Sequence, residues 1–177
     1  MSKSPPNRKE NPPDESLTPG TLIDGARMYA AAADAVNERL PNALHVLTNL
    51  LCTSIELSLK AHLRQAGYSE KQLRGIGHDL RVLLEHACKH GLADTGSREL
   101  VLAVACAGHE MRLFVYPRKA NLQVILPWRL RQMCQELILE VLPRIHGQAA
   151  LDATRNEPGV EIRSRYPEDL NASAWAV

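Results

Sequence analysis

Aromatic residues and paired cysteines are both scarce in this chain. Aromatic side chains make up 4% of the 177 residues and are scattered along the sequence, whereas a protein that stacks single-stranded bases needs several flat rings on one surface. The four cysteines are Cys52, Cys88, Cys106 and Cys134, and none has the paired spacing of a structural zinc site. We therefore expect small, buried thiols in a reducing compartment and no base-stacking surface.

An excess of one charge and a long apolar run are also missing. The net charge is +1, with 45% apolar and 23% charged residues, so the chain lacks the overall Lys and Arg excess of general nucleic-acid or membrane binders. The first twenty residues are polar and Pro-rich, unlike a signal peptide. Polar residues interrupt every apolar stretch before the roughly 20 residues that a membrane span needs. We expect a cytoplasmic protein with no membrane association.

The distribution of proline and polar residues predicts three regions. Residues 1–19 are expected to form a flexible, Pro-rich arm and residues 148–177 an irregular C-terminal tail, because neither has enough apolar surface to offset the entropy cost of ordering. Residues 20–147 are predicted to form an all-α bundle of about five helices. The predicted helices cover residues 22–40, 42–65, 80–90, 98–115 and 127–143, and residues 68–77 are predicted to form a loop. Thr21 and Asp79 are the expected N-caps of the first and third predicted helices.

The second predicted helix is the most apolar and carries a charged pair. Leu47, Leu51 and Ile55 follow the three-and-four spacing of one helix face, and further leucines widen the stripe, so this helix is expected to be central. Glu56 and Lys60 are four residues apart, with the acid nearer the N-terminus, which is the favourable order. We interpret them as a structural ion pair at a packing edge, the alternative being an acid with a tuned pKa in a pocket.

Histidines and serines on the predicted helices give no strong indication of catalysis. His86 and His90 are four residues apart, a spacing that can place two imidazoles on one metal ion, but no Glu follows the first His as in H-E-x-x-H. Ser54 and Ser58 lie mid-helix, where hydroxyls bond to carbonyls of the preceding turn. We expect neither a metal nor a cofactor.

A short basic segment covers the end of the fourth predicted helix and the connector after it. This basic connector (residues 112–119) contains Arg112, Tyr116, Arg118 and Lys119. A local cluster of this kind can contact phosphates without changing the overall charge, and we predict that these four residues bind a ligand. The alternative is a solvated loop and helix face.

Two short motifs follow one another on the second and third predicted helices. They read Ile55-Glu56-Leu57-Ser58-Leu59-Lys60-Ala61 and Gly77-His78-Asp79-Leu80. Their order and spacing resemble the HEPN family (higher eukaryotes and prokaryotes nucleotide-binding domain) over about residues 21–146. The resemblance implies an up-and-down helical bundle that is commonly dimeric. Many such proteins cleave RNA in toxin–antitoxin or defence systems, while others are non-catalytic and bind nucleotides or partners.

The resemblance also implies where a catalytic pair should lie. Catalytic members use an Arg followed after four to six residues by a His, which can stabilise phosphate charge and move protons. Arg81 and His86 have this spacing, but they lie on the third predicted helix instead of the end of the fourth, where Arg112 has no following His in range. The catalytic candidates are therefore Arg81, His86 and Arg112, and the departure from the pattern favours a protein that is not an enzyme.

From the resemblance we predict a non-catalytic binding or regulatory module that associates with RNA or a nucleotide. We expect a homodimer in a bacterial defence or toxin–antitoxin-like setting, with an antitoxin or another protein as a further partner. Two alternatives stay open. One is a metal-independent toxin endoribonuclease that uses Arg81 and His86, or Arg112 with a residue of the partner subunit. The other is a structural protein-interaction bundle.

Overall fold

Helices make up the fold in the computed structural model of this protein. The structure describes residues 17–93 and 127–156, together with Arg98, Leu102, Ala105 and His109, each of which is helical. The two continuous ranges contain six helices, and none of the described residues is in a strand, which confirms the predicted all-α class. The helices are α1 (Pro19–Arg39), α2 (Leu44–Gln65), α3 (Glu70–Ile76), α4 (Leu80–Lys89), α5 (Pro127–His146) and α6 (Gln148–Asn156).

Helix α1 begins one turn earlier than its predicted start at residue 22. Thr18 is the N-cap and forms a capping box with Thr21, in which the side chain of each residue accepts a hydrogen bond from the backbone of the other. The box satisfies two backbone N–H groups that the first turn leaves without helical partners. The prediction that Thr21 itself is the cap was wrong, because Pro19 stands at the first helical position, where its missing N–H has no cost.

Helix α2 is the central helix, as its leucine pattern predicted. Its buried residues cover several sides, and it packs against α1, α4 and α5. Polar groups fix two of these contacts: the Ser54 hydroxyl donates to the carbonyl of Ala26 at 2.8 Å, and the Cys134 thiol donates to that of Leu51 at 3.2 Å. With Ala30 and Ala33 also buried on α1, small side chains let the first two helices approach closely.

Helix α3 lies in a segment, residues 68–77, that we predicted to be a loop. Ser69 is its N-cap and forms a capping box with Gln72, and Gly77 ends it with φ +70° and ψ −125°. A residue without a Cβ adopts this conformation most readily. Asp79 then caps α4, as predicted, by accepting hydrogen bonds from two backbone N–H groups of its first turn.

Helices α5 and α6 extend further than the sequence predicted. Helix α5 continues past its expected end near Pro143 to His146, because a proline in the last turn removes only one backbone donor from the helix. Gly147, with φ +82°, separates it from α6. Helix α6 occupies the start of the predicted irregular tail, and that part of the prediction was wrong: alanines favour the helix, and Leu151 is buried.

Several predictions concern residues outside the described part of the chain. The expected arm lies there over residues 1–16, and the expected tail over residues 157–177. Of the helix predicted over 98–115, the structure describes four positions, and all four are helical. Among the described helices, none has both the length and the apolar character that crossing a bilayer requires.

Candidate functional site

A buried carboxylate with three nitrogen partners is the most concentrated group of functional side chains in the described structure. This acid–histidine cluster consists of Glu56, Lys60, His78 and His109. Glu56 Oε1 accepts a hydrogen bond from Lys60 Nζ at 2.5 Å, and Glu56 Oε2 lies 2.6 Å from His109 Nε2. His78 Nδ1 lies 3.1 Å from Oε1 and 3.0 Å from Oε2. The predicted Glu56–Lys60 pair is therefore present, and it is part of a larger unit.

Three separate local features bring these side chains together. Lys60 lies one turn after Glu56 on α2, on the same face. His78 lies in the turn between Gly77, which ends α3, and Asp79, which caps α4. His109 continues the buried face of Leu102 and Ala105, since the steps of three and four residues return to one side of a helix.

Burial sets the electrostatics of the cluster. The side chains of Glu56 and His109 are 9% and 7% exposed, whereas that of His78 is 43% exposed. Burial by itself raises the pKa of Glu56, but the hydrogen bonds from His109, Lys60 and His78, with the positive charge of Lys60, outweigh it and lower the pKa from 4.5 to about 2. Glu56 is therefore an ionised acceptor at neutral pH.

This protonation state limits what the cluster can do chemically. A carboxylate with a pKa of about 2 does not donate a proton at neutral pH, so Glu56 is a poor general acid. The facing nitrogens of His78 and His109 donate N–H groups to it, and the two rings lie edge to face at 88°. The arrangement suits holding positive charge, namely the Lys60 ammonium at Oε1 and, at Oε2, a cation in place of the two imidazole protons.

A second group of rings joins the end of α2 to α4. The Tyr68 hydroxyl lies 2.8 Å from His86 Nδ1 and 3.2 Å from His90 Nε2, and both imidazoles meet the Tyr68 ring edge to face. Buried His62 lies beside this group and donates from Nε2 to the carbonyl oxygen of His90 at 3.1 Å. Burial, assisted by the charge of Arg144, lowers the pKa of His62 and keeps the ring neutral.

The structure does not bring the catalytic candidates Arg81 and His86 together within one chain. Both lie on α4, and a separation of five residues turns them about 140° apart around the helix axis. Arg81 is exposed, and His86 is directed to Tyr68. The other predicted site residues, Arg112, Tyr116, Arg118 and Lys119, lie outside the described residues.

A third polar group fastens the end of α4 to α5. Glu140 Oε1 accepts hydrogen bonds from the backbone N–H of Ala93 and from Arg144, both at 2.9 Å, and Oε2 accepts one from Arg98 at 3.1 Å. Arg98 is 5% exposed and also donates to the carbonyl of Ala93. Because each charged group has a fixed structural partner, we interpret this network as a fastening of the bundle.

Sequence reasoning missed that His78 and His109 share a carboxylate. His78 was interpreted as part of a motif, and His109 was not singled out. One signal was available for His109: it falls on the apolar face of its predicted helix, where a histidine needs a buried hydrogen-bonding partner.

Comparisons with protein-family models, with curated protein sequences and with solved structures found no match for this chain. The class of protein is therefore defined by its own geometry. It is an all-α bundle in which a central helix carries a buried, ionised carboxylate held by one lysine and two histidines.

Proposed function

We propose that this protein is a HEPN-like helical bundle that acts as a non-catalytic binding or regulatory module. The two motifs that carry the resemblance lie on α2 and on the turn into α4. They make direct contact, because Glu56 from the first motif accepts hydrogen bonds from Lys60 of the same motif and from His78 of the second. This contact supports the view that the motifs define one structural unit of the bundle.

The separation of Arg81 and His86 carries the non-catalytic part of the proposal. A metal-independent ribonuclease needs a cation and a proton-transferring group at the same phosphate. These two side chains leave α4 about 140° apart. His86 is also engaged with the Tyr68 hydroxyl, and Glu56, ionised and enclosed, is a poor substitute for an acid.

The proposed ligand is RNA or a nucleotide, held by phosphate contacts from Arg112, Arg118 and Lys119 and by Tyr116 of the same basic connector. Cationic side chains supply this affinity by displacing counterions, so binding should weaken steeply as salt is added. We also propose a cytoplasmic homodimer that works in a bacterial defence or toxin–antitoxin-like setting with an antitoxin or another protein partner. These proposals rest on the sequence motifs.

The test measures binding and cleavage on the same samples. Purified full-length protein is titrated into a fluorescently labelled 20-nucleotide RNA and into a fluorescent ATP analogue at two salt concentrations, and the RNA is then run on a denaturing gel. The test variant is Arg118→Ala with Lys119→Ala. The matched control is Arg39→Ala with Lys71→Ala, which removes the same charge from exposed positions on α1 and α3.

We expect salt-sensitive binding without cleavage, weakened at least tenfold in the test variant and little changed in the control. Cleavage that is lost in Arg112→Ala or His86→Ala would establish a ribonuclease and overturn the proposal. Binding of neither ligand, or equal loss in the test and control variants, would remove the assigned binding role.

A further inference from the structure

The acid–histidine cluster contains the donor set of a metal site, although the sequence led us to expect none. Glu56 offers a carboxylate oxygen, and His78 and His109 each offer an imidazole nitrogen, with all three donor atoms within 4.8 Å of one another. We propose that Glu56, His78 and His109 bind a divalent transition-metal ion of the zinc type. This site stands independently of the proposed RNA or nucleotide binding.

The two imidazoles converge on a single oxygen atom. His109 Nε2 and His78 Nδ1 lie 2.6 Å and 3.0 Å from Glu56 Oε2, and their rings stand at 88° with centroids 6.0 Å apart. Around a zinc ion with bonds of about 2.0–2.2 Å, neighbouring donor atoms lie roughly 3.0–3.5 Å apart. The two nitrogen–oxygen distances therefore need to lengthen by less than about 1 Å to accept an ion. His78 is the more exposed of the two histidines.

Lys60 completes the arrangement from outside the ligand set. Its ammonium group holds Glu56 Oε1 at 2.5 Å and leaves Oε2 directed at the two histidines. A carboxylate that binds a metal through one oxygen commonly has its other oxygen fixed by a hydrogen-bond donor, which orients the ligand. Lys60 is therefore a positioning residue in this site.

The identity of the donors selects the class of ion. Two imidazoles with one carboxylate suit zinc and its transition-metal neighbours, whereas calcium and magnesium favour sites built from oxygen alone. Three protein ligands leave at least one coordination position for water or an anion. Among the three ligands, the His78 side chain is 43% exposed whereas those of Glu56 and His109 are 9% and 7% exposed, so water or an anion would reach the ion from the His78 side.

Binding of the ion replaces protons that the cluster uses in its metal-free form. Each facing nitrogen now donates an N–H group to the carboxylate, and to coordinate a metal it must give up that proton, either to the other nitrogen of the same ring or to water. The Glu56 carboxylate is already ionised and needs no deprotonation.

The experiment uses the full chain after dialysis against a chelator. Zn²⁺ is titrated by isothermal calorimetry, bound zinc is counted by mass spectrometry after gel filtration, and Co²⁺ serves as a spectroscopic probe through its visible absorption. The main variant is His78→Ala, because the exposure of this side chain favours retention of the fold. His109→Ala is the second variant, accepted only if its far-ultraviolet circular dichroism matches that of the unaltered protein.

Two controls remove histidines from outside the cluster. His45→Ala deletes an exposed histidine on α2, and the His86→Ala with His90→Ala double variant deletes the pair beside Tyr68. Both retain all three proposed ligands. They separate a specific site from weak zinc binding by surface imidazoles.

We expect one Zn²⁺ per chain, an increase in thermal midpoint on adding zinc, and a Co²⁺ spectrum typical of nitrogen and oxygen ligands. His78→Ala should weaken zinc binding by about tenfold or more and remove the thermal shift, while both controls bind as the unaltered protein does. The proposal is overturned if the unaltered chain binds neither ion at micromolar concentration. It is equally overturned if His78→Ala binds normally, or if only the His86 and His90 double variant loses the ion.

Discussion

Replacing Glu56 by Gln should reveal how strongly the buried carboxylate stabilises the fold. The substitution retains the shape of the side chain but removes the negative charge that Lys60, His78 and His109 surround. It also places an amide N–H₂ group in a site where every neighbour is a donor. The Lys60 ammonium then loses its negatively charged partner in a largely buried setting. The loss of one member of a buried ion pair is strongly destabilising.

The lowered pKa of Glu56 sets the magnitude of the effect. A decrease from 4.5 in the unfolded chain to about 2 in the folded protein corresponds to roughly 3 kcal/mol of stability at neutral pH. Because the folded-state pKa is the lower one, this contribution is fully present above about pH 4.5 and is lost as the pH falls towards 2. At pH 3 it should have decreased to about 1 kcal/mol.

Urea unfolding in the presence of a chelator, followed by circular dichroism, measures the difference in unfolding free energy between Glu56→Gln and the unaltered protein. The chain offers a matched control in Glu85→Gln. Glu85 and Lys89 form the same four-residue acid–lysine pair on α4, but both side chains are exposed, at 62% and 63%. Water screens such a pair, so the control should leave the urea midpoint unchanged at every pH.

The pH dependence decides whether this reasoning is correct. If Glu56→Gln lowers the free energy of unfolding by the same amount at pH 3 as at pH 7, the carboxylate is not held ionised by its three partners. If, at pH 7, Glu56→Gln lowers the free energy of unfolding no more than Glu85→Gln does, burial of the charge offsets the whole benefit of its hydrogen bonds.

The remaining predictions concern the turn, an interhelical pair and a thiol. Gly77→Ala should lower the unfolding free energy in urea by about 1–3 kcal/mol, because φ is +70° there. Gly75→Ala, in open space on α3, should raise it by up to about 1 kcal/mol. Arg131→Lys removes the two 2.7 Å hydrogen bonds from the guanidinium group to Asp34. It should lower the unfolding free energy by about 1 kcal/mol, and by less in high salt, whereas an unchanged unfolding free energy would contradict the pairing. Burial raises the pKa of Cys134 to about 12, so peptide mapping should find it unalkylated by iodoacetamide until urea unfolds the chain.

The helices were predictable where apolar spacing was long and regular. Leu47, Leu51 and Ile55 on α2 marked its buried face directly, and Asp79 marked the start of α4. Helix α3 was missed although Ser69 and Gln72 supply its capping box, because a seven-residue segment containing Gly75 has too few turns to show a period. Capping chemistry was the better guide there.

The candidate site was predictable only in its local part. The Glu56–Lys60 pair follows from helix geometry, since four residues complete about one turn. The contacts from His78 and His109 join positions 22 and 53 residues away from Glu56. No rule of sequence spacing encodes such contacts, because they depend on how the helices pack.

Those long separations have a consequence for the lifetime of the folded protein. Glu56 can meet His109 only after the chain between these two residues, which are 53 positions apart, has been closed into a loop, and this closure carries an entropic cost. We therefore expect the cluster to form after the folding transition state, so that it slows unfolding without hastening folding. Stopped-flow measurements on Glu56→Gln should show faster unfolding with an unchanged folding rate. A slower folding rate would instead place the cluster in the folding nucleus.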